Sequence, residues 1–428
     1  MFEKESSIGN NLRALQRGTN PDYNEEYGLA EMLAAGKQSG SRLEYVFEGS
    51  YNGKVYEEYD SVWQDFDLLP LQNRSNIVSL GEGASVLLEF EELSPLLNGA
   101  SLYILMDSEK NPTGTFKDRE ASLILSRCKE LGLDNLVFYS TGNTGRAYTH
   151  YAAQLGLTTY FFMPGKCHYK NTKHIKKNKN NYILYVDDNY PQIAPYAKRF
   201  AKENGLVAIA PLHDRTEAYA TVAYEQFRKL PKCDFFVQTI ASGMGPIGYL
   251  RGHKNLVKFG LQRAEDIPRI VCIQSSEMSV MSRAYNSGRT TLTQDDLPKT
   301  FADNLFEPTL NSTNPVNNYP DLYNCLQESN GIITDVSPDY VKEKAQPIVD
   351  AFKKRGLSLR TDLEHSNLIG FAGLIQLAEK GEFKKDQTIV MLSCGKGKDE
   401  STDLYEPDAL VSPQKDDPVA LKQKLDSL

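Results

Sequence analysis

The sequence lacks long hydrophobic runs and a secretion signal, and both absences restrict where the protein acts. No apolar run approaches the roughly 18 to 20 residues that a membrane-spanning helix needs. The N-terminus, MFEKESSIGNNLRALQRG, has early acidic residues and no apolar segment of the kind that directs secretion. The sequence therefore predicts a cytoplasmic protein with no membrane partner.

It also lacks paired cysteines and an excess of basic residues. No C-x-x-C pair occurs, so neither a zinc ribbon nor a disulfide framework is indicated, and we expect no metal. The formal net charge is -8, whereas a nucleic-acid-binding protein would carry a basic surface. A small molecule is the expected partner. The cysteines, predicted to be free thiols, are Cys128, Cys167, Cys233, Cys272, Cys325 and Cys394.

What the sequence does contain is a regular alternation of two patterns from residue 87 onward. Short apolar runs such as NLVFYS, DFFVQT and TIVMLS alternate with segments such as GRAYTHYAAQLG, whose apolar residues recur at helical spacing. This pattern is typical of an α/β protein with mostly parallel, buried strands. A chain of 428 residues is long enough for two domains. Ligands of such sheets bind beyond the carboxyl ends of the strands.

Three stretches do not follow this alternation. Residues 27–38, YGLAEMLAAGKQ, predict a surface helix or arm. The lysine-rich stretch 166–181 is read as a solvated loop, with an anion-binding lid as the alternative. The stretch 301–324 is rich in Asn and Pro and predicts a long loop, either structural or functional.

Four predicted strand ends carry polar or glycine-rich turns. Residues 111–119, NPTGTFKDR, place Lys117 where a helix begins. STGNTG (140–145) and IASGMGPIG (240–248) offer backbone N–H groups at helix starts, where anions bind. SCGKGKD (393–399) begins with the hydroxyl of Ser393.

Together these turns supply one lysine, two anion cradles and one hydroxyl on the ligand-binding edge of the sheet. This set suits pyridoxal phosphate, with its aldehyde, phosphate and ring nitrogen, together with an amino-acid carboxylate. A dinucleotide is the rival interpretation of the glycines. It is weakened because no acidic ribose partner is evident some twenty residues after the late glycine loop.

These motifs carry a resemblance to a known family. NPTGTFKDR, STGNTG, the late glycine loop and LSCGKGKD resemble the motifs of fold-type II pyridoxal phosphate enzymes, and of threonine synthase in particular, over about residues 60–400. The resemblance implies two lobes, each a mostly parallel sheet flanked by helices, with the active site between them, and a homodimer. The implied segments are an N-terminal helical or arm segment (1–60), a large cofactor domain (61–117 plus 230–405), a small substrate domain (118–229) and a C-terminal tail (406–428).

The resemblance also implies roles for individual residues. Lys117 would bind the cofactor aldehyde as the Schiff-base lysine and act as the base, which requires a neutral amine. Asn143 would lie against the ring oxygen and Ser393 against the pyridine nitrogen. Asp118 is given a structural role at the helix start. The cofactor phosphate would bind Ala241, Ser242, Gly243, Met244 and Gly245. The substrate would bind Ser140, Thr141, Gly142, Asn143, Thr144, Arg146 and Arg215.

Other polar residues near these motifs are less clearly assigned. Lys166, like Arg146 and Arg215, is a candidate for binding a phosphate leaving group, with a surface ion pair as the alternative. Cys394 is read as a buried filler in preference to a reactive thiol. Glu364 and His365 precede a helix and either cap it or touch the site.

The sequence departs from the threonine synthase pattern at several positions. Glu120 stands where Gly is common, Ala84 to Leu87 replace a Thr-Pro-Leu continuation, and the loop QTIASGMGPIG is more similar to that of cysteate synthase, as is Arg146-Ala147. The leading prediction is a carbon–oxygen lyase of amino-acid biosynthesis that converts O-phosphohomoserine to threonine and phosphate. One alternative is a β-replacement synthase acting on O-phosphoserine. Another is a homologue that binds the cofactor without turnover.

Overall fold

The computed structural model describes residues 12–173, 175–187, 190–209, 212–298, 305–310, 315–357, 365–395 and 403–428. Glu364 and the end of the SCGKGKD motif lie outside the described residues. The strands are β1 (Arg13–Gly18), β2 (Glu26–Tyr27), β3 (Leu43–Glu48), β4 (Leu87–Glu89), β5 (Ser101–Leu105), β6 (Asn135–Tyr139), β7 (Thr158–Pro164), β8 (Asn181–Val186), β9 (Val207–Ala208), β10 (Phe235–Thr239), β11 (Arg269–Ser275), β12 (Ile332–Val336), β13 (Thr388–Leu392) and β14 (Ala409–Val411).

Helices follow most of these strands. The α-helices are α1 (Asp107–Lys110), α2 (Lys117–Glu130), α3 (Asn143–Leu155), α4 (Tyr190–Glu203), α5 (Leu212–Lys229), α6 (Met244–Lys258), α7 (Val280–Asn286), α8 (Tyr319–Glu328), α9 (Pro338–Lys354), α10 (His365–Glu379) and α11 (Pro418–Asp426). Short 3₁₀ helices cover Val62–Leu68, Arg74–Asn76, Glu91–Leu97, Gly165–Lys170, Ala264–Asp266, Ser276–Met278, Gln294–Asp296, Pro308–Leu310 and Pro315–Asn317.

Two mostly parallel sheets form the body of the described chain. One has the strand order β12-β11-β10-β13-β5-β4, in which only the β4–β5 pairing is antiparallel. The other has the order β14-β8-β7-β6-β9 and is parallel throughout. The predicted α/β class is confirmed, and each apolar run identified in the sequence contains a strand.

Successive side chains of the central strands pack into different hydrophobic clusters, so each sheet is buried on both faces. In β10, Phe235 and Val237 join one hydrophobic cluster, whereas Phe236 joins another. In β7, Phe161 and Phe162 likewise belong to different clusters. Successive side chains of a strand point to opposite faces, so a strand with two buried faces needs a continuous apolar run.

The N-terminal segment differs from its prediction. No helix forms over residues 27–38, so the helix alternative of the predicted helix or arm is wrong. The described part of the N-terminal segment contains the antiparallel sheet β2-β1-β3. Backbone carbonyls of this segment accept hydrogen bonds from side chains of other elements instead of from the N–H groups of a helix. Gln16 Nε2 donates to the carbonyls of Gly28 and Glu31 (2.7 and 3.0 Å), and Arg127 Nη2 donates to that of Leu29 (2.6 Å). These tertiary contacts outweigh the local helical preference.

The predicted C-terminal tail also has regular structure. Strand β14 pairs in parallel with β8 at the edge of the five-stranded sheet, and α11 contacts α4. Two lysines of the 166–181 stretch pair with this region: Lys173 Nζ lies 2.6 Å from Asp403, and Lys177 Nζ lies 3.1 Å from Asp408. Among the described residues, no helix has the length and apolar character needed to cross a bilayer.

Candidate active site

Three of the four motif-bearing strand ends are neighbours in the six-stranded sheet. Strands β10, β13 and β5 pair side by side in parallel, so their carboxyl ends lie at one edge. The turns that follow them carry 240–245, Ser393 and Lys117, respectively. The fourth turn, 140–145, follows β6 of the other sheet. The candidate site is therefore built from both sheets.

The turn that carries Lys117 is fixed by backbone and side-chain hydrogen bonds. Phe116 N donates to Cys394 O (3.0 Å), which joins this turn to the one after β13. Asn111 Nδ2 donates to Thr115 O (2.8 Å), and Asn111 Oδ1 accepts from Gly83 N (2.8 Å). Gly83 therefore supports the lysine turn directly through Asn111.

Asp118 ties the start of α2 back to the same turn. Its carboxylate accepts hydrogen bonds from Thr113 N (2.7 Å) and Thr113 Oγ1 (2.6 Å). The side chain is fully buried, and burial raises its pKa to about 7 although the Thr113 bonds lower it. These contacts support the structural role expected for Asp118.

Lys117 is the first residue of α2, and its amino group lies among aromatic and acidic groups. Nζ donates to Tyr219 Oη (2.7 Å) and lies 3.7 Å from Glu120 Oε2. It also lies 4.2 Å from the ring centre of Phe116 and 4.9 Å from that of Tyr219. The side chain is 16% exposed, so the amine is mostly removed from solvent.

Glu120 is the centre of a buried polar cluster. Its side chain is fully buried and accepts hydrogen bonds from Tyr148 Oη (2.7 Å) and from Tyr219 Oη. Arg215 Nε lies 2.8 Å from Glu120 Oε1. Burial raises the pKa of Glu120, but Arg215, then Lys117 and the two tyrosine hydroxyls outweigh it, so the pKa is lowered overall. Glu120 is therefore ionised at neutral pH.

The preceding residue, Arg119, belongs to a separate buried cluster. Its guanidinium donates to both oxygens of Asp107 (2.7 Å each) and to Glu225 Oε2 (2.6 Å). Burial lowers the pKa of Arg119, but the two carboxylates raise it more, so the net shift is upward. This cluster connects α2 to α1 and α5.

The turn 140–145 is the first candidate anion cradle. Ser140 Oγ accepts from Gly142 N and Gly145 N (3.0 Å each), which orders the turn and leaves the hydroxyl proton for an acceptor. Gly142, with φ of 146°, precedes the first residue of α3. Thr141, Asn143 and Thr144 are partly exposed beside it. Their N–H and hydroxyl groups can bind a carboxylate.

The turn 240–245 forms the second cradle, at the start of α6. Gly243 has φ of 77° and stands at the N-cap position, where it makes no side-chain capping bond. The first N–H groups of this 15-residue helix can therefore bind an anion. Asn318 Nδ2 donates to Ser242 O (3.4 Å), so the Asn-rich stretch contacts the cradle.

Ser393 is held at the end of β13 by two side chains. Its hydroxyl bonds to that of Ser108, and Asn367 Nδ2 donates to it (3.3 Å). Asn367 also accepts from Cys394 N (3.0 Å) and donates to Gly395 O (2.7 Å). The Cys394 side chain is buried, as expected for a filler.

The remaining candidates occupy different places. Arg146 is buried in the first turn of α3 and donates through Nη2 to Thr113 O (3.4 Å), beside the lysine turn. Lys166 is exposed at the end of β7. His365 stacks on Phe306, with ring centres 4.2 Å apart, and its backbone N donates to Glu307 (2.8 Å).

Several residues at the site were not identified from the sequence. Tyr219, Tyr148, Ser108 and Asn367 contact predicted site residues but belong to no motif. One signal was present, because Arg215 and Tyr219 are four residues apart and so lie on the same helix face. The partners of the other residues come from distant parts of the chain.

Comparison with known proteins gives a family match over most of the chain. Residues 78–395 match the family described as pyridoxal-phosphate dependent enzyme. This range includes Lys117, both anion cradles and Ser393. Arg146, Arg215 and Tyr219 also lie within these bounds.

Curated relatives and solved structures agree with this match. The chain is 26% identical over 384 residues to threonine synthase of Methanocaldococcus jannaschii, covering 87% of this chain and 89% of that protein. It is 24% identical over 294 residues to cysteate synthase of Methanosarcina barkeri, covering 67% and 69%. Maize serine racemase has a similar structure, with a TM-score of 0.58, 19% identity, and coverage of 74% of this chain and 91% of that one. The predicted fold-type II architecture is thereby confirmed.

Proposed function

Because the chain belongs to the family of pyridoxal-phosphate dependent enzymes, we propose that it is a lyase that releases phosphate from an O-phosphorylated hydroxy-amino acid. The leading substrate is O-phosphohomoserine, which loses phosphate and takes up one water molecule to give threonine. The similarity to threonine synthases over 87% of the chain supports this reaction class. When bound, the cofactor withdraws electrons from the substrate and so eases removal of a proton at Cα.

The described residues fit pyridoxal 5'-phosphate. The N–H groups of Ala241 to Gly245 and the Ser242 hydroxyl would hold the phosphate at the α6 N-terminus, where the uncapped helix start favours an anion. Lys117 would bind the aldehyde, and Ser393 would face the ring nitrogen. A hydroxyl at that nitrogen does not force it to stay protonated, unlike a carboxylate, which favours elimination and replacement over transamination.

The turn 140–144 would hold the substrate carboxylate. Its backbone N–H groups lie at the start of α3, and the Ser140 hydroxyl keeps a proton to donate. Asn143 would lie against the ring oxygen of the cofactor. This arrangement would orient the Cα–H bond relative to Lys117, which we propose as the base that removes and returns protons.

The observation that favours a phosphorylated substrate is a pair of arginines near the turn that carries Lys117. Arg146 Nη2 donates to Thr113 O, and Arg215 pairs with Glu120, whose carboxylate also lies 3.7 Å from Lys117 Nζ. Guanidinium groups bind phosphate oxygens through charge-assisted hydrogen bonds. We propose Arg146 as the main phosphate contact, because it lies beside the turn that carries Lys117.

Measuring phosphate release from O-phosphohomoserine and from O-phosphoserine tests this proposal. We expect release from O-phosphohomoserine with equimolar threonine, at least tenfold slower in Arg146→Lys, which keeps the charge but loses the planar fork. Arg263→Lys is the matched control, since Arg263 is exposed and pairs with Asp266. Failure of the protein with bound cofactor to release phosphate from either compound would contradict the proposal.

A β-replacement synthase acting on O-phosphoserine is the second candidate. It is favoured by the similarity to cysteate synthases, which covers 67% of the chain. The same assay with sulfite present separates the two, because only this candidate forms cysteate. We further propose that the enzyme is a cytoplasmic homodimer, and light scattering of the purified protein tests the dimer.

The domain boundaries are likewise a proposal. We propose a large cofactor domain built on the six-stranded sheet and a small substrate domain built on the five-stranded sheet, with 61–117 plus 230–405 and 118–229 as their main segments. The β14 strand and α11 helix would be assigned to the small domain, because β14 pairs with β8. Limited proteolysis followed by mass spectrometry tests these boundaries.

A further inference from the structure

The hydroxyl of Tyr219 lies between the amino group of Lys117 and the carboxylate of Glu120. Lys117 Nζ is 2.7 Å from Tyr219 Oη, which in turn bonds to Glu120 Oε2. Both Tyr219 and Glu120 are fully buried. Neither residue belongs to the motifs that indicate the cofactor.

The direction of these two hydrogen bonds follows from the ionisation of the groups. Glu120 is ionised and can only accept. Burial and the nearby Glu120 carboxylate hold the pKa of Tyr219 well above its ordinary value, so its hydroxyl keeps its proton. Tyr219 therefore donates to Glu120 and presents a lone pair to Lys117, whose amino group must donate.

Tyr219 is held rigidly in this position. Its ring packs against that of Phe116, with centres 5.1 Å apart. Helices α5 and α6 approach closely at Gly248, where an added Cβ would lie 2.5 Å from Tyr219 Cβ and 2.6 Å from Thr216 O. The hydroxyl is therefore a fixed acceptor, suited to receiving an amino group that moves.

Arg215 sets the net charge around this acceptor. Its guanidinium lies against both carboxylate oxygens of Glu120, with Nε 2.8 Å from Oε1 and Nη2 donating to Oε2 at 3.3 Å. Glu120 alone would stabilise a protonated Lys117, which is unable to act as a nucleophile or base. Arg215 partly offsets that effect, so the protonated amine is favoured less than it would be beside Glu120 alone.

We propose that Tyr219, oriented by Glu120, is a positioning residue that holds the amino group of Lys117 whenever that group is not bonded to the cofactor. Arg215 balances the charge of Glu120 so that the held amine can still deprotonate. This inference rests on the proposed role of Lys117 as the cofactor-binding lysine. The charged and titratable groups of this cluster include Glu120 from the same helix and Tyr219 from α5, which contact the amine. Tyr148 from α3 and Arg215 from α5 contact Glu120.

Trace acetylation of the cofactor-free protein across pH 6 to 11, with peptide mass spectrometry, tests the proposal without turnover. Its readout is the pH at which labelling of Lys117 is half-maximal. In Glu120→Gln we expect this midpoint to fall by about one pH unit, the effect of removing an opposite charge at this distance. In Tyr219→Phe we expect a smaller fall, and in Arg215→Gln a rise.

Lys129, exposed on the same helix, is the internal reference, and its midpoint should not move. Glu203→Gln is the matched control variant, because Glu203 is exposed on α4. Tyr219→Phe keeps the ring and its packing, so it tests the hydroxyl even if Glu120→Gln is unstable. Unchanged Lys117 midpoints in both variants would overturn the proposal.

The proposed function can fail separately. If Lys117→Ala protein still acquires the visible absorbance of lysine-bound cofactor, Lys117 is not the attachment residue, whatever the labelling profiles show. If the attachment is lost in Lys117→Ala but the labelling midpoints do not respond to Glu120 or Tyr219, only the positioning role is wrong.

Discussion

Arg119 and Glu120 are consecutive residues of one helix, and each is the centre of a buried charge cluster, yet the two clusters differ in access. Arg119 and Asp107 are fully buried, and Glu225 is 3% exposed. The Glu120 cluster instead includes Lys117 and Arg215, which are 16% and 22% exposed. One cluster is closed, and the other opens toward the candidate site.

This difference separates stability from function within one helical turn. A fully buried ion pair joins secondary-structure elements. Removing one partner leaves an uncompensated buried charge and so lowers the free energy of unfolding. An open cluster can change its charge when a ligand or lysine moves. Substitutions in the Arg119 cluster should therefore affect mainly unfolding, whereas those around Glu120 should affect mainly the chemistry of Lys117.

The largest expected effect is on function alone. Lys117→Ala should lower phosphate release by about a thousandfold or more, because a positioned base alone contributes roughly 10² to 10⁴. The free energy of unfolding without cofactor should change little, since Lys117 is at the open end of its cluster. Phosphate release and urea unfolding measure the two quantities. Comparable loss in both would contradict the separation.

The next largest effect is on stability. Arg119→Met should lower the free energy of unfolding by about 3 kcal/mol or more, because Asp107 and Glu225 would be left buried without their cation. Urea unfolding measures the change. Arg263→Met, at an exposed ion pair, is the control and should change stability little. A similar small effect at Arg119 would show that its cluster is not structural.

A pH effect is expected from Asp118, the third charge of this turn. Its native pKa is raised to about 7, above its unfolded value near 4, so the native state binds more protons between those limits. Its contribution to stability is therefore full below about pH 4 and is lost as the pH rises toward 7.

Asp118→Asn should remove that component of the slope, on the order of 1 kcal/mol per pH unit. Unfolding by urea at several pH values measures the slope for both proteins. Asp266→Asn is the control, because the pKa of Asp266 is lowered by Arg263 instead. Identical slopes for Asp118→Asn and the unaltered protein would contradict the assignment.

The smallest expected effect is from Tyr148→Phe. It removes one of several donors to Glu120, so the free energy of unfolding should fall by about 1 kcal/mol, the net value of one hydrogen bond. The Lys117 labelling midpoint should rise slightly, since the carboxylate loses a donor and attracts the proton more strongly. A fall in that midpoint would contradict the inference that the Tyr148 hydrogen bond weakens the attraction of Glu120 for the Lys117 proton.

Most of the fold could be predicted from local pattern. Strands buried on both faces read as continuous apolar runs, and β10 is buried along its whole length. The segment 27–38 is predicted as a surface helix or arm, and the helix alternative is wrong because the amphipathic pattern is local. The groups that bind its carbonyls, from Gln16 and Arg127, come from other elements. A local sequence pattern carries no information about such contacts.

The candidate site could be predicted only in part, for the same reason. Lys117, the 140–145 turn and Ser393 lie at strand ends, and strand ends are readable along the chain. Tyr219 was missed because its proposed role depends on a contact with Lys117, 102 residues away in sequence. Glu120 was noticed only as a departure from a family pattern, since a lone carboxylate in a helix has no readable partner.

The sequence by itself determined the α/β alternation, the strand ends and the chemical groups available there, because each depends on neighbouring residues. Only the tertiary structure decided which of those groups meet. It aligned β10, β13 and β5 side by side and brought Tyr219 and Arg215 of α5 to the first turn of α2. Burial then determined how strongly these groups interact, since removal from water strengthens the electrostatic interactions between Lys117, Glu120 and Arg215.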